Sequence, residues 1–232
     1  MLTPDLLQAL RAVDTPTICN ALEIAMGSRV AHGFTYGTLV AAPQPLPAVV
    51  GIARTARIRA SSPPQIDPAT VRATRLAYYR HVAGHPQGPV IVVMQDMDDR
   101  PGTGSFWGEV NSAVHEGLGV AGVLTNGSVR DIGDLSPTFP ILAGSVGPSH
   151  AHVHVVDFGL PVEVFGLTVN DGDVVHADRH GAVVIAPRYL AQMPACIELV
   201  KRKEAPLLEA ARSGRFDLGM LEAAMRHADE IH

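Results

Sequence analysis

The sequence predicts an α/β fold: a single compact domain, residues 1–232, with layered mixed β-sheets flanked by helices and a helical C-terminal tail. Three observations predict it. Two helix starts are written near the N-terminus, and the tail from Arg188 onward reads as helical. Between them, apolar strand-like runs alternate with helical patterns in the order β–α–β–α–β, followed by a β-rich stretch. No long polar linker, internal repeat or low-complexity tract divides the 232 residues, a length that suits one well-buried core.

The helical N-terminal segment covers about residues 1–30. Thr3-Pro4 and Thr15-Pro16 each place a capping hydroxyl before a proline at the first helical position, for helices through Leu10 and Ala25. A connection containing Pro43, Pro45 and Pro47 leads to Val49–Ile58, which alternates after Gly51 as a strand does. Asp67-Pro68 starts a helix that ends near the Gly84–Pro86 breaker. The continuous apolar run Pro89–Met94 reads as a strand buried on both faces. Gly108–Gly119 reads as a helix and Ala121–Thr125 as a second buried strand. Phe139–Ala143, Val162–Phe165, Val174–His176 and Ala182–Ile185 are short β segments, with a turn at Asn170–Asp173. The tail, about residues 188–232, is helical with an interruption at Ser213-Gly214.

Composition excludes several functions. A net charge of −5 offers no excess of Lys and Arg to neutralise phosphates, so nucleic acid is not an expected partner. The run Lys201, Arg202, Lys203 falls in a helical pattern as a solvated face. Cys19 and Cys196 make neither a disulfide framework nor a zinc site by spacing. With no secretory leader pattern and no apolar run of about 18 residues, the expected location is the cytoplasm, with no membrane contact. Walker, G-x-S-x-G, H-E-x-x-H and dinucleotide motifs are absent.

The most informative stretch runs from Trp107-Gly108-Glu109-Val110 to Gly127-Ser128-Val129-Arg130-Asp131, with twenty residues, 110–129, between Glu109 and Arg130. A helix, tight turn and returning strand would bring its ends together. One site would then hold two carboxylates for a hard cation such as Mg²⁺, and a guanidinium with free backbone N–H groups for an anion. Glu109 alone reads as a helix-start acid favoured by the dipole. Gly108 before it permits close approach of a ligand to the N–H groups of Glu109, Val110 and Asn111. Arg130 and Asp131 read either as a surface ion pair or, pointing to opposite sides of an extended backbone, as two separate groups. In the second reading Arg130 binds an oxyanion and Asp131 a metal.

Other polar groups are less informative. His150, His152 and His154 alternate and would share one face if extended; an exposed sheet face or subunit contact is preferred to a transition-metal site. His176–Gly181 reads as a polar hairpin turn in which Asp178 and Gly181 take turn roles. Asp96, Asp98 and Asp99 either supply charge behind the site or solubilise a loop.

The E-x20-R-D spacing within Gly108-Glu109-Val110, Gly119–Val123, Asn126-Gly127 and Arg130-Asp131 resembles the RraA-like family, which includes class II 4-hydroxy-4-methyl-2-oxoglutarate/4-carboxy-4-hydroxy-2-oxoadipate aldolases. Gly51–Ala56, Pro161–Val164, Gly166, Asp171–Asp173, His176–Asp178 and Gly181–Val184 also look like family sequence, extending the likeness over roughly residues 15–190. The resemblance implies a swivelling β/β/α domain in a homotrimer or homohexamer, with sites at subunit interfaces that bind Mg²⁺ or Mn²⁺. It implies Asp131 and Glu109 as metal ligands, directly or through water, and Arg130 as substrate-binding arginine. Gly108 and the N–H groups of Val110 and Asn111 would meet the substrate carboxylate. Two departures stand out: Glu109 where the family often has Asp, and Asn126-Gly127 where many members read Asp-Gly.

The implied activity is a metal-dependent lyase acting on a 2-oxo acid, by retro-aldol cleavage of a 4-hydroxy-2-oxo acid to pyruvate or by oxaloacetate decarboxylation. Arg130, Glu109 and Asp131 would be its catalytic residues; both reactions pass through an enolate that the cation and Arg130 would stabilise. A water polarised by Glu109 would accept the hydroxyl proton. The alternative from the same resemblance is a non-catalytic regulator that binds ribonuclease E or a related protein. Regulators of this type lack the signature acid, which this chain keeps at Glu109. Arg202, Arg212 and Arg215 in the tail either help complete a neighbour's pocket or pack between subunits.

Overall fold

The computed structural model describes residues 2–43, 47–85 and 87–232; Pro45 of the expected connection and Pro86 of the expected breaker lie outside them. Two short helices open the chain, α1 (Pro4–Arg11) and α2 (Thr15–Met26). Thr3 caps α1 as the sequence predicts, its hydroxyl accepting from Leu6 N. In α2 the cap is Asp14, one residue before the expected Thr15, because its carboxylate reaches Thr17 N while Thr15 turns inward to the sheet.

Then follow β1 (Val40–Ala42), β2 (Val49–Arg59), α3 (Pro68–Val82), β3 (Val90–Asp96), α4 (Glu109–Gly117), β4 (Val120–Thr125), β5 (Ser128–Val129), β6 (Ile141–Ala143) and β7 (Ser145–Val146). The β-rich stretch comprises β8 (His154–Phe158), β9 (Val162–Val164), β10 (Leu167–Val169), β11 (Val174–Asp178) and β12 (Gly181–Ile185). A 3-10 segment, Pro187–Gln192, leads into α5 (Met193–Ala211) and α6 (Leu218–Asp229), which flank the expected break at Ser213-Gly214.

Among the described residues the main sheet has eight strands, ordered β1-β6-β4-β3-β2-β11-β12, with β8 also on β2. The central β2, β3, β4 and β6 run parallel, and the antiparallel β1, β8, β11 and β12 complete a mixed sheet. The eleven residues of β2 outreach any one neighbour: on one side β11 pairs with its first half and β8 with its second. Gly51 is needed in β2, since a Cβ there would lie 2.8 Å from Pro89 O on β3's leading edge. Apolar clusters cover the sheet, one beneath α3 and α4 containing Tyr78, Trp107 and Phe139, another beneath α1, α2 and α5 containing Leu10, Ile18 and Met193. Burial of these faces is the main stabilising contribution.

Several expected placements are corrected. His150, His152 and His154 do not share one extended face, because Ala151 adopts a left-handed φ of 44° and only His154 lies in a strand. His176 lies in β11, as the Val174–His176 segment predicts, and is buried rather than part of a polar turn, bonded through Nδ1 to the Thr15 hydroxyl at 3.0 Å and through Nε2 to Leu10 O at 3.1 Å. Burial holds its pKa below the ordinary value. Asp178 serves its turn through His180 N, and it also binds Thr15 N across the fold.

Candidate active site

The turn after β4 and the start of α4 form one corner of the molecule. Trp107 makes a single parallel bridge with Val129, and Arg130 N donates to Trp107 O at 2.9 Å. That pairing lays the Arg130-Asp131 segment across the N-terminus of α4. Gly108 caps α4 in an extended conformation and has no side chain to satisfy the free N–H groups. Asp131 supplies the missing acceptor from another element: its Oδ2 takes a hydrogen bond from Glu109 N at 3.2 Å. The helix dipole and the N–H groups favour a carboxylate there.

Glu109, Arg130 and Asp131 are thus brought together, as the spacing predicts. The expectation that Arg130 and Asp131 point apart does not hold. Asp131 has φ 56°, which folds its carboxylate back toward Arg130, and Arg130 Nε lies 3.5 Å from Asp131 Oδ2. A left-handed φ is tolerated by Asp more readily than by most residues. Gly108 is required by this approach: a Cβ there would stand 2.5 Å from Asp131 Oδ2 and 2.9 Å from Arg130 Cγ. The first intrahelical backbone bond of α4 runs from Ser112 N to Gly108 O, leaving the N–H groups of Val110 and Asn111 in the free first turn.

Among the described residues no group of three or more His, Cys, Asp or Glu is placed to hold a metal. The donor set here is smaller and entirely of oxygen. Asp131 Oδ2 is engaged by Glu109 N and Arg130, whereas Asp131 Oδ1 and the exposed Glu109 carboxylate have no partner among the described residues. The Asp131 carboxylate and the exposed Glu109 side chain offer oxygen donors of the kind that a small hard divalent cation takes.

Asp96, Asp98 and Asn126 prove to be organisers of the loops behind this corner. The buried Asp96 carboxylate accepts from Gly102 N and Asp98 N; burial pushes its pKa up, against those bonds. Asp98 accepts from Ala60 N and Ser61 N. Asn126 clasps the Asp96 residue from both sides, Oδ1 accepting from Asp96 N at 2.7 Å and Nδ2 donating to Asp96 O at 3.0 Å. An ionised aspartate could accept the first bond but not donate the second.

Sequence reasoning missed the buried polar layer between α3 and α4. Tyr78 OH bonds His115 Nε2 at 2.8 Å, and His115 Nδ1 bonds Asn111 O at 2.6 Å. Its trace in the sequence is the i, i+4 pair Asn111 and His115 on the inner face of an amphipathic helix. Also missed was Asp171, which accepts from His81 Nε2 at 2.9 Å, Arg54 Nη1 at 2.8 Å and Thr55 N at 3.0 Å. Burial would raise its pKa, but these bonds win and hold it at about 2. A cavity of about 490 Å³ between α2, β12 and the 3-10 segment shares no residue with the Glu109 corner.

Comparison with known proteins decides the family. The RraA-like description, Aldolase/RraA, matches residues 15–184. The chain belongs to the RraA-like family. A relative, an uncharacterized protein of Methanocaldococcus jannaschii, is 29% identical over 113 residues, 48% of this chain and 54% of that protein. The chain thus matches only about half the length of this curated relative. Among solved structures, an uncharacterized Pseudomonas syringae pv. tomato protein superposes with a TM-score of 0.69 at 20% identity, covering 97% of this chain and 94% of that one. Streptomyces coelicolor RraAS2, described as an unusual member of the RNase ES inhibitor RraA protein family, gives a TM-score of 0.64 at 22% identity, covering 92% and 98%. These likenesses establish a shared RraA fold, a mixed sheet flanked by helices. The family holds both aldolases and RraA regulators. Among the described residues no helix is long and apolar enough to cross a membrane.

Proposed function

We propose that this RraA-like protein is a divalent-metal-dependent lyase that breaks a C–C bond of a 2-oxo acid. The reaction is retro-aldol cleavage of a 4-hydroxy-2-oxo acid to pyruvate, decarboxylation of oxaloacetate, or both. The observation that carries the reading is the meeting of Glu109, Arg130 and Asp131 at the open N-terminus of α4. Such a corner offers oxygen donors for a cation, free N–H groups for an anion and a guanidinium for developing negative charge, which supports the reading.

Asp131 Oδ1 and Glu109 would hold Mg²⁺ or Mn²⁺, which when bound supplies Lewis-acid polarisation of the 2-oxo group. The N–H groups of Val110 and Asn111, in the free first turn of α4, receive the substrate 1-carboxylate, and Gly108 lets Arg130 and Asp131 lie close against that turn. Arg130 sits beside Asp131 and offsets the negative charge that develops on the 2-oxo oxygen as the C–C bond breaks. In the retro-aldol direction Glu109, exposed and without a partner among the described residues, accepts the substrate hydroxyl proton through water.

The corner is open in one chain, and its rim is apolar: Val110 is 66% exposed, Val114 39%, Ile132 46% and Val146 53%. A second copy seated on this rim would exclude water from the site, which supports self-association, in the homotrimer or homohexamer that the family resemblance implies.

The test is oxaloacetate decarboxylation, read as pyruvate formation, with EDTA and then with Mg²⁺ or Mn²⁺ restored, for wild type, Asp131→Ala and Arg130→Ala. Metal-dependent turnover lost in both variants, with oligomeric state kept, is the expected result. Near-normal rates in either variant would remove the assigned roles. No turnover with any metal would bring forward the alternative, a regulator that binds ribonuclease E.

A further inference from the structure

We propose that the side chain of Asn111, fastened to α3 by Tyr79 and Arg75, is a positioning group that sets the anion-binding first turn of α4. The inference rests on the lyase reading above and adds to it which residues hold the turn. Helix first turns fray unless capped, and the cap residue of α4 is a glycine with no side chain. Asp131 satisfies Glu109 N alone. The two N–H groups assigned to substrate, those of Val110 and Asn111, need another source of order.

The Asn111 carboxamide provides it in three directions. Its Nδ2 donates back to Phe106 O at 2.5 Å, across the Trp107-Gly108 approach to the helix. Its Oδ1 accepts from Tyr79 OH at 3.1 Å and from Arg75 Nη2 at 3.2 Å. A carbonyl can only accept and a guanidinium can only donate, so both ends fix the same orientation of the amide. Tyr79 and Arg75 are one turn apart on α3, and Arg75 Nε also donates to Tyr79 OH at 3.2 Å, so the clamp is itself held.

The main chain of the same residue is fastened too. Asn111 O accepts from His115 Nδ1, which leaves Nε2 as acceptor for Tyr78 OH. His115 and Tyr78 are fully buried, and the Trp107 and His115 rings lie 4.5 Å apart between centroids. One residue thus carries a substrate-facing N–H, a carbonyl tied to Tyr78 through His115, and a side chain tied to Tyr79 and Arg75. The N–H direction follows from contacts 32 to 36 residues away in sequence, not from the helix end.

An N–H bond to a substrate carboxylate is made in the ground state and kept in the transition state. Loosening it raises KM and leaves kcat in place, whereas a purely structural loss lowers the active fraction or the stability without changing KM. The experiment measures kcat and KM for oxaloacetate decarboxylation with Mg²⁺ in the intact protein, alongside thermal midpoints, for wild type, Asn111→Leu and Tyr79→Phe. The expected result is KM raised about tenfold in Asn111→Leu, the loss of one charge-assisted hydrogen bond, with kcat within about twofold. Tyr79→Phe, which removes one hydroxyl and leaves the ring, is expected to raise KM about threefold, and it keeps the test alive should Asn111→Leu not fold. A lowered midpoint or kcat with KM unchanged in Tyr79→Phe would overturn the positioning role while leaving the lyase reading intact. An inactive wild type would overturn both.

Discussion

Replacing His115 with Gln tests the buried imidazole that ties α4 to α3. Burial, with Arg75 nearby, holds the His115 pKa at about 4, even though the Asn111 carbonyl bond acts the other way. The ordinary value is 6.5. The folded protein therefore resists a proton that the unfolded chain accepts readily. Stability is fully present above pH 6.5, falls as the pH drops toward 4, and stops falling below that. With those two values the loss is about 2 kcal/mol at pH 5 and about 3 kcal/mol at pH 4. The assay is urea denaturation from pH 7.5 to 4.5 at fixed protein concentration, since an oligomer's stability depends on it. Trp107 is the single tryptophan of the chain and is fully buried against His115, so its fluorescence reports the same region. His176, also lowered by burial, leaves a residual slope in the variant. His115→Gln is expected to be less stable at pH 7.5, through the changed Tyr78 bond, but to lose roughly 2 kcal/mol less than wild type on going to pH 5. Parallel losses in wild type and variant between pH 6.5 and pH 5 would refute the assignment.

Asp131→Asn keeps an acceptor for Glu109 N and a residue that tolerates φ 56°, but removes the charge facing Arg130 and the cation. Turnover of oxaloacetate is expected to fall at least ~100-fold with the thermal midpoint nearly unchanged, and a large midpoint shift would show the effect to be structural. Gly108→Ala brings a Cβ to 2.5 Å from Asp131 Oδ2, so both activity and stability fall, the latter by about 1–3 kcal/mol in denaturant titration. Asn126→Asp is expected to cost about 1–3 kcal/mol at neutral pH, because Asp96 O loses its donor and two carboxylates become neighbours; recovery of that loss below pH 4 checks the charge component. Asp171→Asn should remove the stability that wild type keeps above pH 3.8 and loses as pH falls toward 2, about 2 kcal/mol, leaving a flatter acid limb in circular dichroism.

Much of this fold was legible where the signal is local. Asp67-Pro68 announces α3, and the unbroken run from Pro89 announces a strand buried on both faces, because cap chemistry and apolar periodicity act within a few residues. Local reading also failed in local ways. Thr15-Pro16 reads as a cap, yet Asp14 takes the position because the Thr15 hydroxyl is drawn to His176, 161 residues away. The three alternating histidines lose their shared face through one backbone angle at Ala151.

The candidate site divides along the same line. The sequence by itself determined that Glu109 and the Arg130-Asp131 pair meet, since a short helix, a turn and a parallel strand leave the segment's ends little choice but to return. It also determined that the place of meeting is a helix N-terminus entered through a glycine. Only the tertiary structure decided which way Asp131 points, because a left-handed φ at that residue is set by Gly108's close approach rather than by composition. Only the tertiary structure placed Tyr78, Tyr79 and Arg75 of α3 behind Asn111 and His115 of α4. Helix periodicity states which face is buried; which partner it is buried against follows from packing the whole sheet between its helices, and no local window of residues contains that choice.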